Sequence, residues 1–394
     1  MNAEQVDAQA ADPSRPDRRP DIDWVRALAV LLLVPFHSAL VFGSSRGYHI
    51  NTGENYAPLQ YFAGIVHQWH MPLLFVVSGM GTWFALTFRT AGRYARERVT
   101  RLLVPLVFGT LVIVPPQTYC QRLSEGKFHG SYLAFYPHFF DGVYGVSPDG
   151  NFAYNHLWFI AYLLVFSMLS LPLLAWFRRE GGRRLLSGLA ASCEKRGAIF
   201  LFAIPVGVTE AVLRAKFPGL QTLVSDWANF TQYLFLFLLG FVICSDGRFW
   251  QAIERHGPAA LVCGVLTMSF GVALHLTGTY PAWGYTPGWL AMRFVLAFNT
   301  WFWIIALLWA GKKTLSFESG LLPYIREGSY PFYVLHQTVL IAIGYHVMNW
   351  PIGVMPRYLI LVVTTIIATT LIYDAFVRRF NVVRFLFGMK PKRR

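Results

Sequence analysis

Charged residues are scarce in this chain. Asp, Glu, Lys and Arg make up 14% of its 394 residues, against about a quarter in soluble domains. That excludes an ordinary soluble enzyme. Acids are scarcer than bases, 20 against 34. The resulting +14 net charge could suit nucleic acid, but the basic residues fall in short blocks between long apolar runs. Blocks of that kind orient a membrane protein, so no nucleic-acid partner is expected. The four cysteines, Cys120, Cys193, Cys244 and Cys263, lack metal-ligand spacing, so neither a metal site nor a disulfide framework is expected. An internal repeat is also lacking, which counts against the inverted-repeat transporter folds. Residues 1–22 are polar and rich in Pro and Arg, unlike a secretory signal.

What the chain has instead is apolar length: 55% of its residues are hydrophobic and 16% aromatic. At about 20 apolar residues per crossing, about ten spans are expected. They run over Asp23–Phe42, Ala57–Phe88, Leu102–Tyr119, His156–Phe177, Ala198–Leu213, Trp227–Cys244, Ala259–Leu276, Gly288–Ala310, Tyr330–Met348 and Tyr358–Val377. The second is too long for one straight helix, and Pro72 is expected to divide it. The fold class is therefore all-α and polytopic. Residues 1–22 read as a disordered cytoplasmic tail, 23–388 as the membrane domain and 389–394 as a basic cytoplasmic tail. In this topology 27 of the 34 Lys and Arg lie on the side of the termini, which places both ends in the cytoplasm.

Two polar residues stand out in the first span. Arg26 and His37 are eleven positions apart, three helical turns plus about 20°, so they share a face with a rise of about 16 Å between them. An ionisable residue at that depth faces a cavity or a partner and marks a candidate site. Arg98 and Arg101 lie one turn apart at the inner end of the third span, a pairing suited to phosphates, although basic residues are common there in any membrane protein. Glu54, in the first outer loop, could fold back and orient His37 as carboxylates orient catalytic histidines. His67 and His70 share a helix face without a third ligand, which is weak evidence for a metal. His156 and Trp158 open the fourth span as an aromatic-belt segment, and His336 is a further polar residue within the ninth. Ser78, Gly79, Gly81 and Thr82 form a small-residue patch that lets helices approach closely. Glu210 and Arg214 have the spacing of a structural ion pair.

Taken in order, these pieces carry a resemblance. Arg26 followed by His37, then Pro72-Leu-Leu-Phe-Val-Val-Ser78-Gly79, the Arg98/Arg101 pair, His156-Leu-Trp158-Phe159 and Ser329-Tyr-Pro-Phe-Tyr-Val-Leu-His336-Gln337 resemble the signature of the acyltransferase-3 family of integral membrane acyltransferases. The likeness spans about residues 21–388. Val34-Pro-Phe-His37, the Tyr48-His-Ile-Asn51 loop with Glu54, and Phe385-Leu-Phe-Gly-Met-Lys-Pro391 look most like its periplasmic glucan succinyltransferase branch.

The resemblance implies ten or so helices around a central tunnel, in the bacterial inner membrane. It implies acyl-CoA as a co-substrate rather than a tightly bound cofactor, entering from the cytoplasm, and a carbohydrate hydroxyl as acceptor on the far side. Physical chemistry fits that scheme. A CoA thioester needs cations for its phosphates, and an attacking hydroxyl needs a base of near-neutral pKa. The expected roles are His37 as general base, Glu54 as its orienter, and Arg26, Arg98 and Arg101 as donor ligands. His70, His156, Trp158 and His336 are expected to bind substrate as cavity residues. Membrane lipids are expected partners, and a homo-oligomer is left open. The rival readings are a transporter or flippase using the same polar residues as a permeation path, and a non-catalytic scaffold of the cell envelope.

Overall fold

A computed structural model describes residues 19–43, 48–144, 146–147, 149–219 and 221–392. The expected tail over residues 1–22 lies almost wholly outside the described residues. Among the described residues the chain is helical, with a single isolated bridge between Val143 and Phe152.

The helices are α1 (Pro20–Gly43), α2 (Ala57–His67), α3 (His70–Thr87), α4 (Ala91–Ser124), α5 (Asn155–Leu169), α6 (Leu171–Phe177), α7 (Glu180–Ser192), α8 (Ala198–Leu213), α9 (Trp227–Ile243), α10 (Gly247–Leu276), α11 (Pro287–Thr314), α12 (Leu322–Val347), α13 (Val354–Val377) and α14 (Asn381–Leu386). Six spans are long and apolar enough to cross a membrane: α1, α2 with α3, α4, α10, α11 and α13. The pair α5–α6, bent by 53°, makes a seventh if it is one broken crossing. The other three expected spans correspond to the short apolar helices α8 and α9 and to α12, whose first turns carry Arg326 and Glu327.

The first span is the hub, packing against α2, α3, α11, α12 and α13. Within the small-residue patch of α3, Gly79 lets another helix approach closely, while Ser78 and Gly81 line a cavity. A Cβ on Gly79 would sit on the Phe237 carbonyl, and one on Gly240 of α9 would sit on the Val76 carbonyl. The two backbones therefore touch where neither carries a side chain.

The second apolar run breaks at Gln68–Trp69, not at Pro72. Pro72 is in the first turn of α3, where a missing N–H costs no intrahelical bond, so the chain bends just before it. The basic segment ahead of the third span is helical as well. Thr90 caps it by accepting from the Arg93 amide at 3.4 Å, and α4 runs through two π-helical turns, Val99–Leu103 and Gly109–Ile113. Such turns rotate the residues that follow and are frequent at functional sites.

Candidate functional site

Both described ends of the chain meet at one cavity of about 930 Å³. Its lining includes six cations, Arg26, Arg98, Arg101, Arg326, Arg378 and Lys390, against two acids, Asp23 and Glu327. The acids answer only some of that charge. Asp23 binds Arg26 at 2.8 Å and reaches Arg326 at 3.5 Å. Glu327 is 4.0 Å from Arg378 and accepts from Arg384 at 2.5 Å. Arg98 donates to the Thr82 hydroxyl at 3.2 Å and lies over the Tyr94 ring at 5.0 Å. It is held by a neutral group, which leaves its charge for a ligand. The first π turn of α4 contains Arg101 and follows directly on Arg98. Arg26, Arg98 and Arg101, the three residues expected to hold the donor, thus line one cavity.

Lys390, Arg326 and Arg378 were not singled out from the sequence. Within the segment read as a basic tail beyond residue 388, Met389 and Lys390 line this cavity. Arg384 donates to the Lys390 carbonyl at 2.8 Å, and Asn381 accepts from the Lys392 amide at 2.8 Å. Gly388 makes the fold-back sterically accessible. Its φ is +66°, and a Cβ there would lie 2.5 Å from the Arg101 carbonyl oxygen, so only glycine fits without displacing α4.

Phe159 and Tyr333 also line the cavity. Behind Tyr333, whose hydroxyl donates to the His156 carbonyl, three histidines from three helices meet. The His336 ring is 5.4 Å from that of His37 and 5.4 Å from that of His156. Their tautomers follow from their partners. His156 donates Nε2–H to the Val334 carbonyl at 3.0 Å, so its Nδ1 accepts from Gln117 at 3.3 Å. His336 donates Nδ1–H to the Tyr333 carbonyl at 2.6 Å. Its Nε2 is therefore a lone pair, fully buried and without a hydrogen-bond partner among the described residues. His37 is partly exposed, and its Nδ1 lies 3.3 Å from the Tyr48 hydroxyl. Burial pushes that phenol well above its ordinary pKa, so Tyr48 stays neutral. Among the described residues no group of three or more His, Cys, Asp or Glu is arranged to hold a metal ion.

Three expected assignments do not match this arrangement. Glu54 does not face His37: both its oxygens accept from Arg357, at 2.6 and 2.8 Å. A guanidinium fork outcompetes a neutral imidazole for a carboxylate, and Tyr48 stands where the orienter was expected. Trp158 is buried against Phe75, Tyr162 and Tyr233, with ring centroids 5.4–6.1 Å apart, and does not line the cavity. His70 donates Nε2–H to the Ala29 carbonyl at 2.6 Å, tying α3 to α1 and not facing open space. Glu210 and Arg214 pair as expected, at 2.9 Å through Nε, joined by Asn229 at 2.7 Å.

A helical membrane bundle with a cation-lined cavity and a cluster of three imidazoles is the class of membrane protein that the fold and the site define. Within that class the chain belongs to the acyltransferase-3 family, whose acyltransferase domain matches residues 19–374. Among curated proteins it is similar to glucans biosynthesis protein C of Escherichia coli, 24% identical over 401 residues that cover 96% of this chain and 97% of that protein. It is also similar to the protein of the same name from Salmonella schwarzengrund, 22% identical over 378 residues covering 94% of each. No solved structure matches. The chain is a multi-pass membrane acyltransferase.

Proposed function

We propose that the protein moves an acyl group from acyl-CoA, bound from the cytoplasm at the cationic end, to a hydroxyl of a glycan presented from the opposite side. The observation that carries this reading is the continuity of the 930 Å³ cavity from its six cations to Tyr333, with the histidines directly behind. Arg98, Arg101 and Lys390 face the donor phosphates, where planar guanidinium forks and an ammonium suit phosphate oxygens. The pantetheine arm follows the Ser78–Gly81 side of α3, where Gly81 leaves open space.

His37 is the base. Its productive tautomer donates Nδ1–H to the neutral Tyr48 oxygen and leaves the Nε2 lone pair for the acceptor. As the acceptor O–H proton passes to Nε2, the oxygen attacks the thioester carbonyl. The C–S bond then breaks, and the CoA thiolate takes up a proton from the imidazolium. His336 Nε2, the unpartnered lone pair beside His37, accepts a second acceptor hydroxyl and fixes its approach. In this reading Tyr333 separates the two substrates until the donor thioester reaches it.

The test is vectorial transfer in proteoliposomes with oriented protein. Labelled acyl-CoA supplied at the basic face, with a gluco-oligosaccharide at the other, should give labelled ester on the oligosaccharide. Translocation of the oligosaccharide without ester formation would replace this reading with a flippase.

A further inference from the structure

The molecule holds a second cavity, of about 400 Å³, between α2, α10 and α11. That volume lies in the range of about 300–1,000 Å³ occupied by small-molecule sites. It shares no lining residue with the cationic cavity. Its walls come from α2, the C-terminal half of α10 and the N-terminal half of α11, the ends of those helices opposite Lys312 and Arg248.

The lining has an unusual chemistry for a pocket between membrane helices. It contains no Asp, Glu, Lys or Arg, yet it carries three amides, Gln60, Gln68 and Asn299. His275 and Tyr280 stack with ring centroids 4.1 Å apart. No charged side chain lines the pocket to bind a phosphate, a carboxylate or a cation directly; Arg293, outside the lining, donates to the Tyr280 hydroxyl at 2.8 Å. Gln60 and Gln68 offer both donors and acceptors, Asn299 braces the wall by accepting from the Thr267 hydroxyl at 3.0 Å, and the stacked rings offer a flat apolar face. Together these match a neutral polyhydroxylated ring, whose hydroxyls both donate and accept and whose C–H faces are apolar.

Bound lipid tails fit less well. On α10 the large apolar side chains Leu266 and Phe270 are 63% and 51% exposed, while Thr267, Gly271 and His275 turn toward the cavity. The helix thus separates a lipid-facing side from a polar side. One helix borders both the pocket and the surroundings of His37. Gln60, Gly64 and Gln68 lie on one face of α2 and its extension at i, i+4 and i+8. From the same helix His67 stacks on Phe36, the neighbour of His37, at 6.2 Å.

We infer that this pocket is a subsite for a neutral sugar unit of the glycan acceptor, distinct from the unit that is acylated. The inference rests on the glycan-acceptor reading above. A polymeric acceptor gains affinity from such a second foothold without new contacts at the reacting hydroxyl.

Gly64 supplies a clean probe, because a Cβ there meets nothing within 4 Å and a helical Gly-to-Leu change favours the helix. Gly64→Leu fills the pocket, and Gln68→Ala with His275→Ala removes its polar contacts without adding bulk. Full-length protein in nanodiscs is titrated with a neutral gluco-oligosaccharide, with acyl-CoA binding measured in parallel as a report of folding. Both variants should bind the oligosaccharide about tenfold more weakly and raise its KM, while acylation of free glucose retains its wild-type KM. Wild-type oligosaccharide affinity in correctly folded variants would overturn the subsite. So would a co-purifying phospholipid that Gly64→Leu alone expels with sugar binding unchanged. Oligosaccharide binding that the variants abolish, in a protein that never transfers acyl groups, would instead leave the subsite standing and remove the acyltransfer mechanism.

Discussion

The two polar sites on α1 are built on opposite principles. At the basic end, Arg26 is paired with Asp23, part of its side chain is open, and its neighbours are long cations around a large cavity. Eleven residues on, His37 sits among rings, with His336 and His156 each fixed by a backbone carbonyl. Charge that must accept many ligand geometries is carried by flexible, solvated groups. Imidazoles whose tautomer must be specified are pinned through one nitrogen, so that the other has a defined state. The contrast predicts different kinetic signatures: changes at the first site should act on donor affinity, and changes at the second on the chemical step.

The largest effect is expected at the second site. His37→Gln keeps size and hydrogen bonding but cannot take a proton at neutral pH. Acyl transfer by the purified protein should fall by about 10²- to 10⁴-fold with acyl-CoA affinity unchanged. Near-normal turnover in a folded variant would shift the role of base to His336, whose Nε2 is the other available lone pair.

At the first site the effects should be smaller and of another kind. Arg101→Lys keeps the charge but loses the fork, and should raise the KM for acyl-CoA by about tenfold with little change in kcat. Lys390→Ala should do the same more weakly. Gly388→Val should reproduce and exceed it, since a side chain at φ +66° and 2.5 Å from the Arg101 carbonyl oxygen must move the whole C-terminal segment off the cavity. A Gly388→Val protein with wild-type donor KM would show that the segment is a bystander.

Much of this contrast was legible in the sequence, and for a definite reason. Ionisable residues inside apolar runs are costly, so Arg26, His37 and His336 announce themselves by position alone. Gly79 was legible through its small neighbours, and Glu210 with Arg214 through their spacing. Residues whose role depends on tertiary contact were not. Tyr48 is an ordinary loop tyrosine until the loop folds over His37. Lys390 is one basic residue among several until Gly388 turns the chain back. Proximity in sequence suggested Glu54 for His37, but Arg357, more than 300 positions away in the chain, offers a better partner. Trp158 fell in a matching motif and His70 in a polar position of an apolar run, yet they face a packed core and a helix backbone. The Gly388 fold-back had one available signal, a glycine after an aromatic pair and ahead of Met-Lys-Pro, which reads as a helix stop.

The smallest effect should come from Glu54, and it separates rim from site. Its carboxylate grips Arg357, which also donates to the Met348 carbonyl and lies 5.5 Å over the Phe42 ring. This ties the 48–56 loop to α12 and α13 at the end of the bundle where Tyr48 meets His37. The Glu54 side chain is 39% exposed and that of Arg357 only 8%, so solvent screens the pair from one side and its contribution is modest, about 1 kcal/mol. Glu54→Gln retains one acceptor for the guanidinium. It should lower the unfolding midpoint slightly, raise protease sensitivity in the 48–56 loop, and leave kcat within about threefold of wild type. Were Glu54 instead the orienter of His37, the same substitution would cut kcat by orders of magnitude at unchanged stability, as loss of an imidazole's carboxylate partner does. Measuring kcat and thermal stability on the same preparation decides between a loop clasp and a catalytic partner.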